Sequence, residues 1–256
     1  MQEEKLKILQ IAPPFLPIRE DIVYGGIERI VWYLDRAYNE MGHESYIAAP
    51  ADSKPLGELA PTINVSIGDF NTFNRDGVFL RLEHLAEAMK YANSGFDVAH
   101  AHDDNLLPFF GLIRAPSLLT LHSTYPDFWQ APSHPKIAEE TKDLNLVAVS
   151  HALKMHYENV GFNVRFVVHN GIEVDKFEYV NKKIDYLLSL GLISPTKGVH
   201  YAIQTAKRLN KDLIIAGTIQ GQCKEYFEEE IKPNITHDIS DEEDKLGGYL
   251  SLPKTR

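Results

Sequence analysis

The sequence contains little cysteine, no excess of positive charge and no long hydrophobic run. One of its 256 residues is a cysteine, Cys223, which excludes an intrachain disulfide bond and a zinc site built from cysteines and favours a reducing compartment. Lysine and arginine total 26 against 36 aspartates and glutamates, a net charge of −10, so we expect no binding to nucleic acid. No segment reaches the ~18 apolar residues of a transmembrane helix, and residues 1–5 do not read as the start of a signal peptide. These features predict a cytoplasmic protein.

Short apolar runs alternate with helical patterns over the first two thirds of the chain. The predicted strands cover residues 6–12, 46–49, 63–67, 97–102, 117–122, 145–150 and 164–169. After the first strand, apolar residues recur at helical spacing; they are Ile27, Ile30, Val31, Leu34, Tyr38 and Met41. Nearly continuous apolar runs indicate strands that are buried on both faces. The alternation therefore predicts an α/β fold with a Rossmann-like, doubly wound parallel sheet.

A polar, charged stretch at residues 178–183 interrupts this series. A second, shorter series follows, with strands predicted at 186–191 and 213–216 and a helix between them at 199–209. We predict an N-terminal domain at 1–180, a truncated second α/β domain at 184–235, and a tail at 236–256 for which we expect disorder. A fragment with two strands leaves open sheet edges. We therefore expect residues 184–256 to dock on the first domain, to dimerise or to be loosely ordered. A separate chain that completes the second domain is a further possibility.

Several polar side chains and glycines follow the predicted strands, where parallel sheets bind their ligands. These candidate site residues are His100, His102, His122, Ser150, Asn170 and Gly171. Gly25 and Gly26 open the first helix, where free N–H groups favour an anion, and Lys197 precedes the helix of the second domain. Each of these positions has an alternative interpretation. The glycines could form plain turns, the histidines could be structural, and Lys197 could be a solvated loop residue. Ser150 is also predicted to cap a helix that begins at Ala152.

His100 and His102 lie two residues apart on a predicted strand, so their side chains share one face. With Asp103 and Asp104 beside them they could hold a metal ion, which makes a metal-dependent hydrolase the second hypothesis. A non-catalytic carbohydrate-binding module is the third. Aromatic residues in two predicted loops could stack on sugar rings or fill the loop cores; they are Phe73, Tyr125, Phe128 and Trp129.

A series of short motifs carries a resemblance to a known family. The motifs are Lys7–Ala12, Gly25–Val31, Met41–His43, Asp97–His102, Thr120–His122, Val147–Ser150, Val168–Ile172 and Gly191–Gly198. In this order and at these strand ends, they resemble the GT4 family of glycosyltransferases with the GT-B fold, over roughly residues 5–235. The resemblance implies two Rossmann-like domains, the first on the acceptor side and the second holding a nucleotide-sugar donor.

The resemblance also implies the activity and the roles of individual residues. The family transfers a sugar, usually a hexose, from a nucleotide-diphosphate sugar with retention of configuration, without a metal ion or any cofactor other than the donor substrate. His122 matches the active-site histidine that contacts the transferred sugar. Gly25 and Gly26 match the loop near the donor phosphate, and Lys197 matches the basic residue that neutralises the departing diphosphate. A sugar, a small molecule or a lipid-linked sugar is the expected acceptor, and a lipid-linked one would place the protein at the inner face of the membrane.

The sequence departs from the family pattern at two places. Leu192 follows Gly191 where the family usually has arginine, and leucine cannot donate a hydrogen bond to a phosphate. Residues 234–256 also contain no E-x7-E segment, which supplies the carboxylates of the family's donor site. We therefore expect a truncated donor domain that is inactive, or weakly active, by itself.

Overall fold

The computed structural model describes residues 4–22, 24–68, 75–124, 134–182, 184–238 and 249–251. The chain divides into two compact units, Met1–Ile172 and Glu173–Arg256. Each unit has a β-sheet and a hydrophobic core of its own.

The first unit is built on a seven-stranded sheet in which every strand is parallel to its neighbours. Its strands are β1 (Lys7–Ile11), β2 (Glu44–Ala49), β3 (Glu58–Pro61), β4 (Val98–Ala101), β5 (Ser117–Leu121), β6 (Asn145–Ala148) and β7 (Val164–Val167). Their order across the sheet is β3-β2-β1-β4-β5-β6-β7. The crossover between β3 and β4 reverses the direction of winding at β1 and β4, which is where sheets of this type bind ligands.

Helices cover both faces of this sheet. They are α1 (Gly26–Glu40), α2 (Arg75–Ala92), α3 (His134–Glu140) and α4 (His151–Asn159), with a 3-10 helix at Asp104–Leu112. On one face α1 places Val31 and Trp32 against Ile47 and Ala49 of β2. The larger core lies on the other face and includes Leu9, which is fully buried. Each fully buried aliphatic side chain of this kind contributes roughly 1.5–3 kcal/mol of transfer free energy.

The predicted strand at residues 63–67 is wrong. The strand in this part of the chain is β3, which pairs with residues 46–49 of β2. Ile63 and Ile67 are buried, but they belong to a connection rather than a strand. The Ile67 N–H donates to the carbonyl of Pro14, and Ala51 N–H donates to that of Ile63. The apolar run thus reflects loop residues that anchor on the core, which periodicity alone cannot separate from a short buried strand.

The second unit contains a smaller, mixed sheet in the order β10-β11-β9-β8. Its strands are β8 (Tyr186–Leu190), β9 (Asp212–Ala216), β10 (His237–Asp238) and β11 (Tyr249–Ser251). β8 and β9 are parallel, whereas β11 is antiparallel to both β9 and β10. The last two strands lie in the segment 236–256, of which the structure describes residues 236–238 and 249–251.

Helices of the second unit pack on this sheet. The main one is α5 (Val199–Leu209), and α6 (Lys224–Tyr226) continues into a π-helical turn at Phe227–Ile231. Ile203 of α5 and Ile231 meet Leu213 and Ile215 of β9 in the core of the unit. Within the described ranges, no helix of either unit is both long and apolar enough to cross a membrane.

Candidate functional site

Three histidines meet at the carboxyl edge of the first sheet. β4 and β5 are adjacent, with His100 level with Leu118, so the side chains of His102, Thr120 and His122 share one face of the sheet with that of His100. His102 Nδ1 lies 3.0 Å from His122 Nε2. The His100 and His102 rings are stacked with their centroids 4.0 Å apart and an interplanar angle of 35°. We call His100, His102 and His122 the histidine cluster.

Hydrogen bonds hold His100 at both of its ring nitrogens. Its Nε2 is 2.8 Å from Thr120 Oγ1 on β5. Its Nδ1 is 3.3 Å from the hydroxyl oxygen of Tyr38, which α1 contributes. His100 thus links the sheet to the helix that covers it, and its ring provides the platform on which His102 stacks.

Burial keeps the histidine cluster neutral at pH 7. It lowers the pKa of His100 and of His122 to about 4, because a charged imidazole loses hydration inside the protein. Burial also lowers the pKa of His102 well below its ordinary value, and the neighbouring imidazoles lower it further. Neutral imidazoles each carry one donor and one acceptor nitrogen. The cluster is therefore suited to hydrogen bonding with hydroxyl groups rather than to binding an anion.

Two carboxyl groups follow directly after His102. Asp103 is buried and accepts hydrogen bonds from the backbone N–H and the side-chain amide of Asn105. Asp104 accepts a hydrogen bond from Ser123 Oγ at 2.9 Å. Burial raises the pKa of both carboxyl groups, and the positive charge of Arg81 opposes this rise. Asp103 begins the following 3-10 helix as its N-cap, so part of its role is structural.

Gly25 and Gly26 lie at the start of α1, after the loop that follows β1. Gly25 is the N-cap and has φ +138°, a conformation that favours glycine. A Cβ atom on Gly25 would approach Glu28 Oε2 to 2.8 Å, so the glycine also allows a close contact with this carboxyl group. Glu28 is buried, and burial raises its pKa to about 6. Gly26 is exposed.

The remaining predicted residues of the first unit lie at strand ends but outside the histidine cluster. Ser150 caps α4, as predicted, because its Oγ accepts a hydrogen bond from the Leu153 N–H at 3.1 Å. Asn170 and Gly171 are exposed and follow β7 without regular structure. Among the described residues, no hydrogen bond joins Asn170 or Gly171 to the histidine cluster.

Lys197 belongs to the second unit, where it precedes α5. It ends a short 3-10 turn, Pro195–Lys197, and its side chain is exposed. Gly198 is the N-cap of α5 and makes no side-chain cap bond, which leaves N–H groups of the first turn for other partners. One of them, the His200 N–H, donates to the Tyr226 hydroxyl at 3.2 Å.

Three neighbours of the candidate site residues do not stand out in the sequence: Glu28, Tyr38 and Thr120. Tyr38 is one of the apolar residues spaced along α1, and Glu28 and Thr120 are members of motifs without a role of their own. The signal for Glu28 is its spacing, because Val31 and Trp32, three and four residues later, are buried on the same helical face. The aromatic residues proposed for sugar stacking, Phe73, Tyr125, Phe128 and Trp129, lie outside the described residues.

The described residues do not provide a metal site. Among them, no group of three or more histidine, cysteine, aspartate or glutamate side chains could hold a metal ion. Both ring nitrogens of His100 are already engaged. The hydrolase hypothesis therefore has no ligand set in this part of the chain.

The winding order and the polar strand ends of the first unit define a Rossmann-like α/β domain. A family model for Glycosyltransferase Family 4 matches residues 24–176, which is more than half of the chain. The chain therefore belongs to glycosyltransferase family 4, and the predicted family is confirmed. The comparison with curated protein sequences finds no match.

The fold is also similar to that of a solved structure. This is the crystal structure of Alr3699/HepE from Anabaena in complex with UDP-glucose, with a TM-score of 0.57 and 14% sequence identity. The match covers 88% of this chain and 64% of that chain, so this chain spans less than two thirds of the length of that relative. At this identity the likeness concerns the fold alone, and it confirms the predicted GT-B-like α/β fold class.

Proposed function

We propose that the chain is the acceptor-side domain and the beginning of the donor-side domain of a glycosyltransferase. The reaction moves a hexosyl group from a nucleotide-diphosphate sugar to a hydroxyl group of an acceptor. The observation that carries the proposal is the histidine cluster at the carboxyl edge of the parallel sheet, inside the segment that the family model matches. The UDP-glucose bound to the similar structure supports a nucleotide-sugar donor.

His122 is the residue that we assign to the transferred sugar. Its ring is partly exposed, and it is neutral at pH 7 because its pKa is about 4. A neutral imidazole binds a sugar hydroxyl without attracting a competing anion. The assignment of Gly25, Gly26 and Lys197 to the donor rests on the family resemblance. The remaining substrate-binding assignments rest on the position of the residues after the strands of the sheet; they are His100, His102, Ser150, Asn170 and Gly171.

The proposed chemistry is electrostatic. The bond between the anomeric carbon and the phosphate oxygen breaks, a bond to the acceptor oxygen forms, and the acceptor proton passes to the diphosphate. The transition state resembles an oxocarbenium ion while negative charge grows on the diphosphate. Lys197 and the first turn of α5 favour that charge. We also propose that the reaction retains anomeric configuration and that it needs no metal ion. An assay in the presence of a chelator tests the second of these proposals.

Calorimetry with UDP, GDP, UDP-glucose and GDP-linked sugars tests the proposed function. We expect the chain to bind either UDP or GDP together with the corresponding nucleotide-sugar. Lys197→Ala should weaken that binding about tenfold or more, as expected for the loss of a charge-assisted hydrogen bond. His122→Gln should weaken the binding of the nucleotide-sugar, since His122 is assigned to the sugar. The affinity for the nucleoside diphosphate without a sugar should not change.

Lys224→Ala is the matched control for Lys197→Ala, because Lys224 is also an exposed lysine at the start of a helix of the second unit. It should bind nucleotide as the wild type does. Absence of nucleotide binding, or equal affinity for wild type and Lys197→Ala, contradicts the proposed donor site. Sugar binding without any nucleotide binding would support the carbohydrate-binding module instead.

We further propose that the second unit self-associates. On its edge strand β8 the alternate residues Tyr186, Leu188 and Leu190 are exposed, and apolar surface on an open edge favours pairing with another chain. Light scattering during size-exclusion chromatography should show a dimer that Leu188→Lys converts to a monomer. A wild-type monomer at all concentrations would instead favour a different, complementing chain.

A further inference from the structure

The contact between His102 and His122 couples the proton positions of the two rings. His102 Nδ1 and His122 Nε2 are 3.0 Å apart, and both rings are neutral at pH 7 because burial lowers their pKa values. Two neutral imidazoles in such a contact share one proton, so one nitrogen donates and the other accepts. The tautomer of one ring therefore determines the tautomer of the other.

The shared proton can lie on either ring, and the two arrangements differ in the state of the buried Nε2 atom of His102. His102 is almost wholly buried, and its Nε2 has no hydrogen-bond partner among the described residues. If His122 donates, His102 must carry its own proton on Nε2, which leaves a buried N–H group without an acceptor. If His102 donates from Nδ1, its Nε2 holds only a lone pair. Buried N–H groups without an acceptor are rarer in proteins than unsatisfied acceptors, so the second arrangement is the stable one.

We propose that His102 is a positioning residue that donates its Nδ1–H to His122 and so holds the proton of His122 on Nδ1. The remaining nitrogen of His122 is then a hydrogen-bond donor. The stack with His100 fixes the ring of His102, and Thr120 and Tyr38 in turn fix His100. The three histidines thus act as one unit, and His122 is the member that we assign to the transferred sugar.

This inference rests on the proposed function and deepens it, because it gives the site a specificity. A Nδ1–H donor on His122 requires an acceptor lone pair, which a sugar hydroxyl oxygen provides. A deoxygenated donor sugar that lacks this oxygen would leave the donor unpaired, and buried polar groups left unpaired discriminate strongly between substrates. We expect the enzyme to reject that deoxy-sugar more strongly than the size of the missing atom would explain.

Nitrogen-15 NMR of the full chain with labelled histidine tests the inference without any ligand. At pH 7.5 the wild type should show His122 protonated on Nδ1, with the signal assigned by its loss in His122→Gln. In His102→Phe the ratio of the Nδ1–H to the Nε2–H tautomer of His122 should fall about fivefold or more, as for the loss of one net hydrogen bond. His102→Asn should restore it, because the amide nitrogen can replace Nδ1 as the donor.

His84→Phe is the matched control. His84 is another buried histidine with a pKa lowered to about 4, but it bonds to Thr62 rather than to the histidine cluster. It should leave the His122 tautomer unchanged. A wild-type His122 protonated on Nε2 overturns the inference even if no variant folds, and so does a tautomer ratio unaffected by His102→Phe. If the tautomer behaves as expected but the calorimetry shows no nucleotide binding, the inference about His102 stands and the proposed function falls.

Discussion

The Oγ1 atom of Thr120 lies 2.8 Å from the Nε2 atom of His100, so two neighbouring strands are joined by a side-chain hydrogen bond inside the sheet. The Tyr38 hydroxyl holds the other nitrogen of His100 from α1. The ring is buried against His102, and its pKa is lowered to about 4 by burial and by the His122 imidazole. The folded chain therefore keeps His100 unprotonated at pH values where the same histidine in an unfolded chain, with a pKa near 6.5, would take up a proton.

Replacing His100 should weaken the dependence of stability on acid. Between pH 6.5 and pH 4 the unfolded chain binds a proton at His100 that the folded chain does not, so the free energy of unfolding falls as the pH falls through this window. Between pH 7 and pH 5 one such histidine accounts for about 2 kcal/mol. Between pH 7 and pH 5 we expect the free energy of unfolding of His100→Gln to fall less than that of the wild type, by this amount. The variant should nevertheless be less stable than the wild type at pH 7.

Urea unfolding followed by tryptophan fluorescence measures this effect, since both tryptophans, Trp32 and Trp129, precede residue 173. His151→Gln provides the control for the change of a histidine to glutamine, because His151 is exposed and lies outside the histidine cluster. An unchanged difference between pH 7 and pH 5 in His100→Gln would show that His100 does not carry this linkage.

Glu28 should produce a pH dependence of the opposite sign. Burial raises its pKa from 4.5 to about 6, so between these values the folded chain holds a proton that the unfolded chain releases. The free energy of unfolding then falls as the pH rises from 4.5 to 6. Glu28→Gln should stabilise the first unit at pH 7 by about 1–2 kcal/mol. Glu83→Gln, on the exposed face of α2, is the control, and equal stability of the two variants at pH 7 would contradict the expectation.

Asp35 should be a major anchor of the loop before β3. Its buried carboxylate accepts hydrogen bonds from Ser45 Oγ at 2.6 Å, the Leu56 N–H at 2.7 Å and the Gly57 N–H at 3.1 Å. Asp35→Ala leaves these donors unpaired, at a cost of about 3 kcal/mol, whereas Ser45→Ala should cost about 1 kcal/mol. Chemical unfolding of both variants and of the double variant measures the coupling; additive losses would mean that the two side chains do not act together.

Gly217 should be intolerant of any side chain. A Cβ atom there would overlap the carbonyl oxygen of Gly191, and the two loops are joined by the bond from Gly191 N–H to the Ala216 carbonyl at 2.9 Å. Because the obstacle is backbone, no side-chain rotation relieves it, and Gly217→Ala should destabilise the second unit by about 2 kcal/mol or more. Hydrogen exchange in β9 reports this loss. A Cβ atom on Gly221 would meet nothing within 4 Å. In Gly221→Ala the amides of β9 should therefore exchange hydrogen at the same rate as in the wild type.

The sequence pattern predicts the structure correctly where local chemistry and burial agree. The order of strands and helices, the cap at Ser150 and the shared face of His100 and His102 follow from spacing alone. It failed at Ile63 and Ile67, where buried residues stand in a loop. The apolar spacing also predicts the wrong buried face for α1. The observed buried face includes Glu28 and Asp35, whereas Met41 is exposed. Carboxylates enter a buried face only when other parts of the chain surround them or supply donors, and no local pattern shows this.

By itself the sequence determined the parallel α/β class, the family and the set of strand-end residues from which a site can be built, because hydrophobic period and motif order are local properties. Only the tertiary structure decided which of these residues meet. The alignment of β4 with β5, residues 100 and 118 being level, brings His122 within hydrogen-bond distance of His102. Packing against α1 adds Tyr38, and burial lowers the pKa values of the three imidazoles, because desolvation depends on contacts between residues far apart in the chain.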